Sequence, residues 1–383
     1  SMADSNSSAL SSSSMENRFH SDRSEIWNRL LHCTSAAANF VGLGLVVLTS
    51  PLRAVGSLVR HVSAMVSGNG GSPKSASSPS QENHDASVER VEFELIDFGD
   101  SIFSDVLTVG KVDKARAIAV VIPRNPGNNA FYMLYLSHLE RLSNGEICGV
   151  ALSHLGHSQR SEPESSQHFG YAEQVAQKAK FLKYLRLKYP NHEFILVGHS
   201  IGARMLLDLQ HTYPDCFDWH AVEKYLLLFP APRFIGASPN AKKMYPLLRF
   251  FPEAANKFFT VLTSVLPISV MRLLIRARLG TIPQTSENAV LDLASGPIIE
   301  NCLRCADGYM ETQGELPQIH HEIHSKFIIY THHTDGWLSA GSIEKMEEAY
   351  PKSTLHRCNE GYKHAFCVLS SEPMARMSWE WLR

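Results

Sequence analysis

The sequence predicts an α/β domain, a mostly parallel sheet with helices on both faces and a helical cap or insertion late in the chain. Three observations carry that reading. From residue 90 onward, short apolar runs alternate with longer stretches of helical periodicity. Most of the runs are apolar at nearly every position, as strands buried on both faces are, where half-exposed strands would alternate. Residues 237–316 then interrupt the alternation with apolar, helical sequence and no good strand.

Taken in order, "RVEFELIDF" and "DVLTVGKV" read as an opening antiparallel pair. The strands predicted next are "AIAVVI" (117–122), "ICGVALS" (147–153), "EFILVG" (193–198), "KYLLLF" (224–229), "KFIIYT" (326–331) and "STLHRC" (353–358). Between them lie helical stretches such as "AEQVAQKAKFLKYLRLKYP" (172–190), and such strand–helix alternation gives parallel pairing. The insertion, with "LLRFF", "KFFTVLTSVLP" and "VMRLLIRAR", carries net positive charge and sits where a cap between two strands would sit.

The chain ahead of this domain differs in composition. A Ser-Met opening resembles a tag remnant, and residues 1–24 are rich in Ser and Asn, the composition of a disordered tail with no secretory signal. Residues 25–66 form an apolar leader. The 23 residues between Arg29 and Arg53 carry no formal charge, but Thr34, Ser35, Asn39, Thr49 and Pro51 dilute them. Val55, Leu58, Val59, Val62 and Val66 then follow helical spacing opposite Arg53, Arg60 and His61, so a membrane-associating helix is expected. Residues 67–90 are Gly, Ser, Pro and polar residues, a flexible linker. The α/β domain is placed at 91–383, with its insertion at 237–316.

Charge is balanced in the 383 residues, 36 Lys and Arg against 38 Asp and Glu, so no nucleic-acid partner is expected. Seven cysteines, odd in number and scattered, fit reduced thiols in a cytosol-facing protein.

The chemistry centres on "EFILVGHSIGARML" (193–206). Gly198-His199-Ser200-Ile201-Gly202 lies between a predicted strand and a predicted helix, the setting in which a tight turn lifts a serine to the carboxyl end of a sheet. Ser200 is the expected nucleophile, with Gly198, His199 and Gly202 forming its elbow. A serine needs a base and an acid that orients the base, and on such a fold they follow it in the order acid, histidine. "KFIIYTHHTDGW" puts Asp335 beyond a late strand and "STLHRCNEGYKHAF" puts His364 beyond the last one. Asp307 is the main rival acid, with Glu360 behind it. The oxyanion donors are expected to be the N–H of Ile201 and, from the "PRNPGNNAFY" loop, that of Asn125 (Arg124 in reserve), since Pro126 has none. Cys302, Cys305, His320 and His324 match a zinc-finger spacing on paper, but lack the helix such a finger needs; no metal and no cofactor are expected.

"IPRNPGNNAFY", "LSHLGHS", "LVGHSIGARM", "PISVMRLLIRARLG", "HTDGWL" and "KHAF", in that order over residues 92–383, resemble the lipid droplet-associated hydrolase family, a branch of the α/β-hydrolase superfamily. The resemblance implies a serine hydrolase of lipid carboxylic esters, of sterol-ester or acylglycerol type, at lipid droplets or the endoplasmic reticulum. It puts the family's nucleophile, acid and histidine on Ser200, Asp335 and His364. The chain departs from the family where Arg124 replaces the first glycine of Gly-Asn-Pro-Gly and Gly336 stands where proline is common. A large side chain at 124 is expected to narrow the pocket or to favour an acidic head group. Two other readings use the same residues, a droplet-associated tethering protein with little turnover and a thioesterase or small-ester esterase.

Overall fold

The computed structural model describes residues 90–98, 102–162, 167–243, 252–312 and 314–383. The serine-rich start, the apolar leader and the linker up to residue 89 lie outside the described residues. The described chain contains eight strands: β1 (Val91–Asp97), β2 (Phe103–Val109), β3 (Ala117–Ile122), β4 (Ile147–Leu152), β5 (Glu193–His199), β6 (Val222–Leu228), β7 (Phe327–Thr331) and β8 (Thr354–Arg357). They form one sheet in the order β1-β2-β4-β3-β5-β6-β7-β8. The pairs β1–β2 and β2–β4 are antiparallel and the rest are parallel. All eight fall on the runs singled out in the sequence.

The pattern that predicted a two-faced sheet is visible in β3, buried along its whole length. Ile118, Val120 and Ile122 join one apolar core with Phe181 and Leu182 of α2 (Tyr171–Lys188) and Leu206 and Leu209 of α3 (Ile201–Thr212). Ala117, Ala119 and Val121 join the other, with Tyr135 and Leu136 of α1 (Met133–Leu142) and Met374 of the C-terminal helix (Ser371–Leu382). Successive side chains point to opposite faces, so burying every one requires helices on both sides.

Strand order reverses at β3, which has β4 on one side and β5 on the other. In open α/β sheets the crevice beyond the carboxyl ends of the strands at such a switch point is where ligands bind. The segments after β3, β5, β7 and β8 all emerge at that end.

The insertion is helical, as expected: α4 (Pro252–Val265), α5 (Ile268–Leu279), α6 (Gln284–Asp292) and α7 (Gly296–Thr312). Proline opens α4, where the missing N–H costs nothing, and Pro267 breaks α4 from α5 at a bend of 118°. No single described helix is long and apolar enough to cross a membrane, and only this bent pair is apolar enough together. Ala255 and Phe259 of α4 share a small core with Ile299, Leu303 and Ala306 of α7. Val261, Val265, Ile268 and Leu273 stay exposed.

The cations of α5 are not all free, as the sequence suggested. Arg272 and Arg276 both hold the buried carboxylate of Glu287, at 2.8 and 2.9 Å. The hydrogen bonds from Arg272 and Arg276 outweigh burial and lower the Glu287 pKa. Glu287→Gln should therefore cost about 1–3 kcal/mol of stability in urea unfolding near neutral pH. A lowered folded pKa stabilises above the unfolded value of about 4.3 and is lost as pH falls through the folded one, so the difference between variant and wild type should close on acidification.

Candidate active site

The turn after β5 carries Ser200 at φ 56°, ψ −118°, a conformation that side chains rarely adopt. Three backbone hydrogen bonds hold it there: Ser200 N–H donates to Leu228 O at 3.0 Å, and Ser200 O accepts from Ala203 and Ala231 N–H at 3.1 and 3.2 Å. The flanking glycines are demanded by the backbone. A Cβ on Gly202 would stand 2.1 Å from Ile122 O, and one on Gly198 would stand 2.5 Å from Ala203 Cα.

Asp335 follows β7 and His364 follows β8, and the structure brings both to Ser200. Ser200 Oγ donates to His364 Nε2 at 2.8 Å, and His364 Nδ1 donates to Asp335 Oδ2 at 2.6 Å. The other carboxylate oxygen of Asp335 accepts the Trp337 N–H at 3.0 Å. Burial pushes the Asp335 carboxyl up, but the charge and hydrogen bond of His364 and the Trp337 N–H outweigh it. The acid is held below its ordinary range and stays ionised at neutral pH. The rival acids are elsewhere: Asp307 is on α7, and Glu360 accepts from Tyr330 Oη at 3.0 Å.

Ile201 is the first residue of α3, where a helix leaves its N–H groups without intrahelical partners. It lines, with Ser200, His364 and Asn125, a cavity of about 480 Å³. Asn125 is held from the insertion, its Nδ2 donating to Cys302 O at 2.9 Å. Arg124, the reserve donor, is excluded because its N–H already donates to Tyr132 Oη at 2.9 Å.

That bond opens a buried chain the sequence did not announce. Tyr132, having accepted from Arg124 N–H, donates to His199 Nδ1 at 2.8 Å, and His199 Nε2–H donates to the carbonyl of His364 at 2.7 Å. The directions fix the His199 tautomer. Burial, then the nearby His364 and Arg124, hold its pKa well below the ordinary histidine value. His199 is thus more than a residue of the turn, because through Tyr132 it ties the loop after β3 to the backbone of the loop that carries His364.

A second clamp explains the "LSHLGHS" segment. Gly127 N–H donates to His157 Nδ1 at 2.9 Å, and Gly127 O accepts from His154 N–H at 2.7 Å. The His154 ring lies so close that a Cβ on Gly127 would fall 2.2 Å from it. Burial pushes His157 down to about 3, keeping Nδ1 able to accept.

The paper zinc spacing comes apart. Cys302 and Cys305 are buried on α7, while His324 Nε2 donates to Ile319 O at 3.0 Å. His320 instead lies near His220 and Glu322, an exposed group with metal-compatible donor spacing before β6 and β7, at the opposite end of the strands from Ser200.

The fold and this arrangement define a hydrolase of the α/β-hydrolase type. A family model described as lipid-droplet associated hydrolase matches residues 115–367, and the chain belongs to that family. The rat protein named lipid droplet-associated hydrolase is 26% identical over 291 residues, covering 71% of this chain and 86% of its own length. The Gallus gallus protein of the same name is 28% identical over 282 residues, covering 70% and 85%. Among solved structures, the 2-hydroxy-6-oxo-6-phenylhexa-2,4-dienoate hydrolase of Rhodococcus sp. strain RHA1 shares the fold with a TM-score of 0.51 at 16% identity, covering 76% of this chain and 99% of its own.

Tyr132→Phe tests the buried chain. It strands the Arg124 N–H and His199 Nδ1, and a buried group left unsatisfied costs about 1–3 kcal/mol. The variant should unfold at lower urea than wild type with an unchanged slope. A midpoint equal to wild type would mean that the chain contributes nothing.

Proposed function

We propose that the protein hydrolyses lipid carboxylic esters of sterol-ester or acylglycerol type through an acyl-enzyme, with Ser200 as nucleophile, His364 as base and acid, and Asp335 orienting the imidazole. The hydrogen-bonded run Ser200–His364–Asp335 opening on the cavity carries the reading. In the first half-reaction His364 Nε2 takes the Ser200 proton as Oγ attacks the ester carbonyl. The Ile201 and Asn125 N–H groups receive the oxyanion, and the helix N-terminus adds favourable potential. The imidazolium then protonates the departing alcohol. In the second, water is activated by the same nitrogen and releases the acid.

A lipid substrate is supported by the cavity wall, which includes Ile235, Leu279, Met310, Val368 and Leu369. Exposed Val261, Val265 and Ile268 at the α4–α5 bend supply an apolar tip to enter a lipid monolayer. The names of the relatives point to the lipid droplet as that surface. An endoplasmic-reticulum location, a cytosolic orientation and attachment through residues 25–66 belong to the same proposal.

A fluorophosphonate probe should label the wild type and leave Ser200→Ala unlabelled. Asp335→Asn should slow labelling by about 10³–10⁴-fold, because the imidazole loses its orienting charge. Lipid emulsion should raise the wild-type rate if the α4–α5 tip opens the cavity at an interface. Equal labelling of wild type and Ser200→Ala would sink the assignment.

A further inference from the structure

Most of the described arginine side chains that are at least partly withdrawn from solvent are paired with carboxylates, half-buried Arg186 instead donating to the Pro190 carbonyl at the surface. Arg160 meets Asp105 at 3.0 Å, Arg204 meets Asp208 at 2.8 Å, Arg233 meets Glu315 at 2.8 Å and Arg304 meets Glu300 at 2.6 Å. Arg272 and Arg276 share Glu287. Arg124 stands apart by its burial. It is only 6% exposed, yet no carboxylate pairs with it among the described residues. Its Nη1 donates to the carbonyl of Asn125 at 3.1 Å, its guanidinium lies 5.5 Å from the centre of the Phe131 ring, and its Nε is buried with no partner. A carbonyl and a ring face partly compensate a desolvated cation, and a full counter-charge is still missing.

The place of this residue gives the missing charge a meaning. Arg124 lines the same cavity as Ser200, one residue before Asn125. Lys363, solvent-exposed at the rim of the same cavity, adds a second positive charge with no carboxylate partner among the described residues. Among the described residues on that wall, the one carboxylate is Asp335, already engaged by His364. The site therefore holds two cations without acids beside an apolar wall.

We propose that the ester accepted here carries an anionic group, phosphate or carboxylate, near the scissile bond, and that Arg124 is the specificity-determining residue that binds it. This rests on the reading of Ser200 as nucleophile and narrows the lipid ester to an acidic amphiphile, an acylglycerol phosphate or a half-ester in place of a neutral sterol ester or triacylglycerol, with its chain against the apolar wall and its anion against Arg124. Guanidinium suits either anion, because its fork of donors matches the paired oxygens of both.

The test measures binding separately from turnover. Calorimetric titration of the full chain, below micellar concentrations, would use three ligands that carry no carboxylic ester: 1-O-octylglycerol, its 3-phosphate, and N-octylsuccinamate. At least one acidic ligand should bind about tenfold or more tightly than octylglycerol, the discrimination expected of one charge-assisted contact. Preference for the phosphate alone would identify a phosphorylated head group, and equal preference would extend the site to carboxylates. Arg124→Met, which keeps the length that covers Phe131, should bring the ratio close to one. Arg124→Lys should retain most of it and guards against misfolding as the cause. A wild-type ratio near one, or a ratio that Arg124→Met leaves intact, would overturn the proposal. Fluorophosphonate labelling of the same samples keeps the readings apart: labelling with a ratio near one leaves Ser200 in place and removes the anion site, whereas no labelling with a tenfold ratio does the reverse.

Discussion

Everything at the active end depends on how closely α3 lies against the end of β3. The contact is made at Gly202, where no room remains for even one methyl group before Ile122 O and Pro123 O. Because the backbones touch there, the Ile201 N–H and the Asn125 segment border one cavity although 76 positions separate them (201 − 125). The same closeness forces the turn into its uncommon conformation at Ser200, a local cost of about 1–3 kcal/mol. The sheet bears that cost readily: β5 is central and buried, and Ser200 N–H completes the ladder onto Leu228. A strained serine on a flexible loop would relax, whereas this one is held by hydrogen bonds to Leu228, Ala203 and Ala231.

Rigidity is then carried outward by polar groups in the interior. The Arg124–Tyr132–His199–His364 run and the His154–Gly127–His157 clamp both hold the loop after β3, one from the side of His364 and one from the loop after β4. Buried polar groups of this kind add little net stability when paired and cost much when unpaired, so they select one arrangement over near alternatives. The burial that keeps His157 and His199 neutral also keeps each able to accept at one nitrogen.

How much of this could be read from the sequence follows from how local each signal is. Strand positions were legible because a doubly covered parallel sheet writes itself as continuous apolar runs, and β3 falls on residues 117–122 as read. Ser200 was legible because the elbow needs glycine on both sides within five residues. Asp335 and His364 followed from chain order alone. What stayed hidden depends on contacts across the fold. Tyr132 and His199 are 67 positions apart, and nothing near either residue marks the other. Arg124 N–H looked available until a phenol from the following helical turn was seen to occupy it. The arginines of α5 looked like a basic face, but Glu287 of the next helix takes two of them.

That last pairing changes how the insertion would meet lipid. With Arg272 and Arg276 turned to Glu287, the outward surface at the α4–α5 bend is mostly apolar: Val261, Val265, Ile268 and Leu273. Attraction to an anionic membrane falls off within a Debye length and weakens with salt, whereas burial of apolar side chains depends on neither. An apolar tip also prefers surfaces where hydrocarbon is within reach between head groups, since only there is the side-chain area removed from water. The two cations without acids, Arg124 and Lys363, lie instead on the cavity wall beside Ser200. Under the two proposals made above, apolar area serves attachment at the surface, and the cations of the cavity wall serve the molecule that enters it.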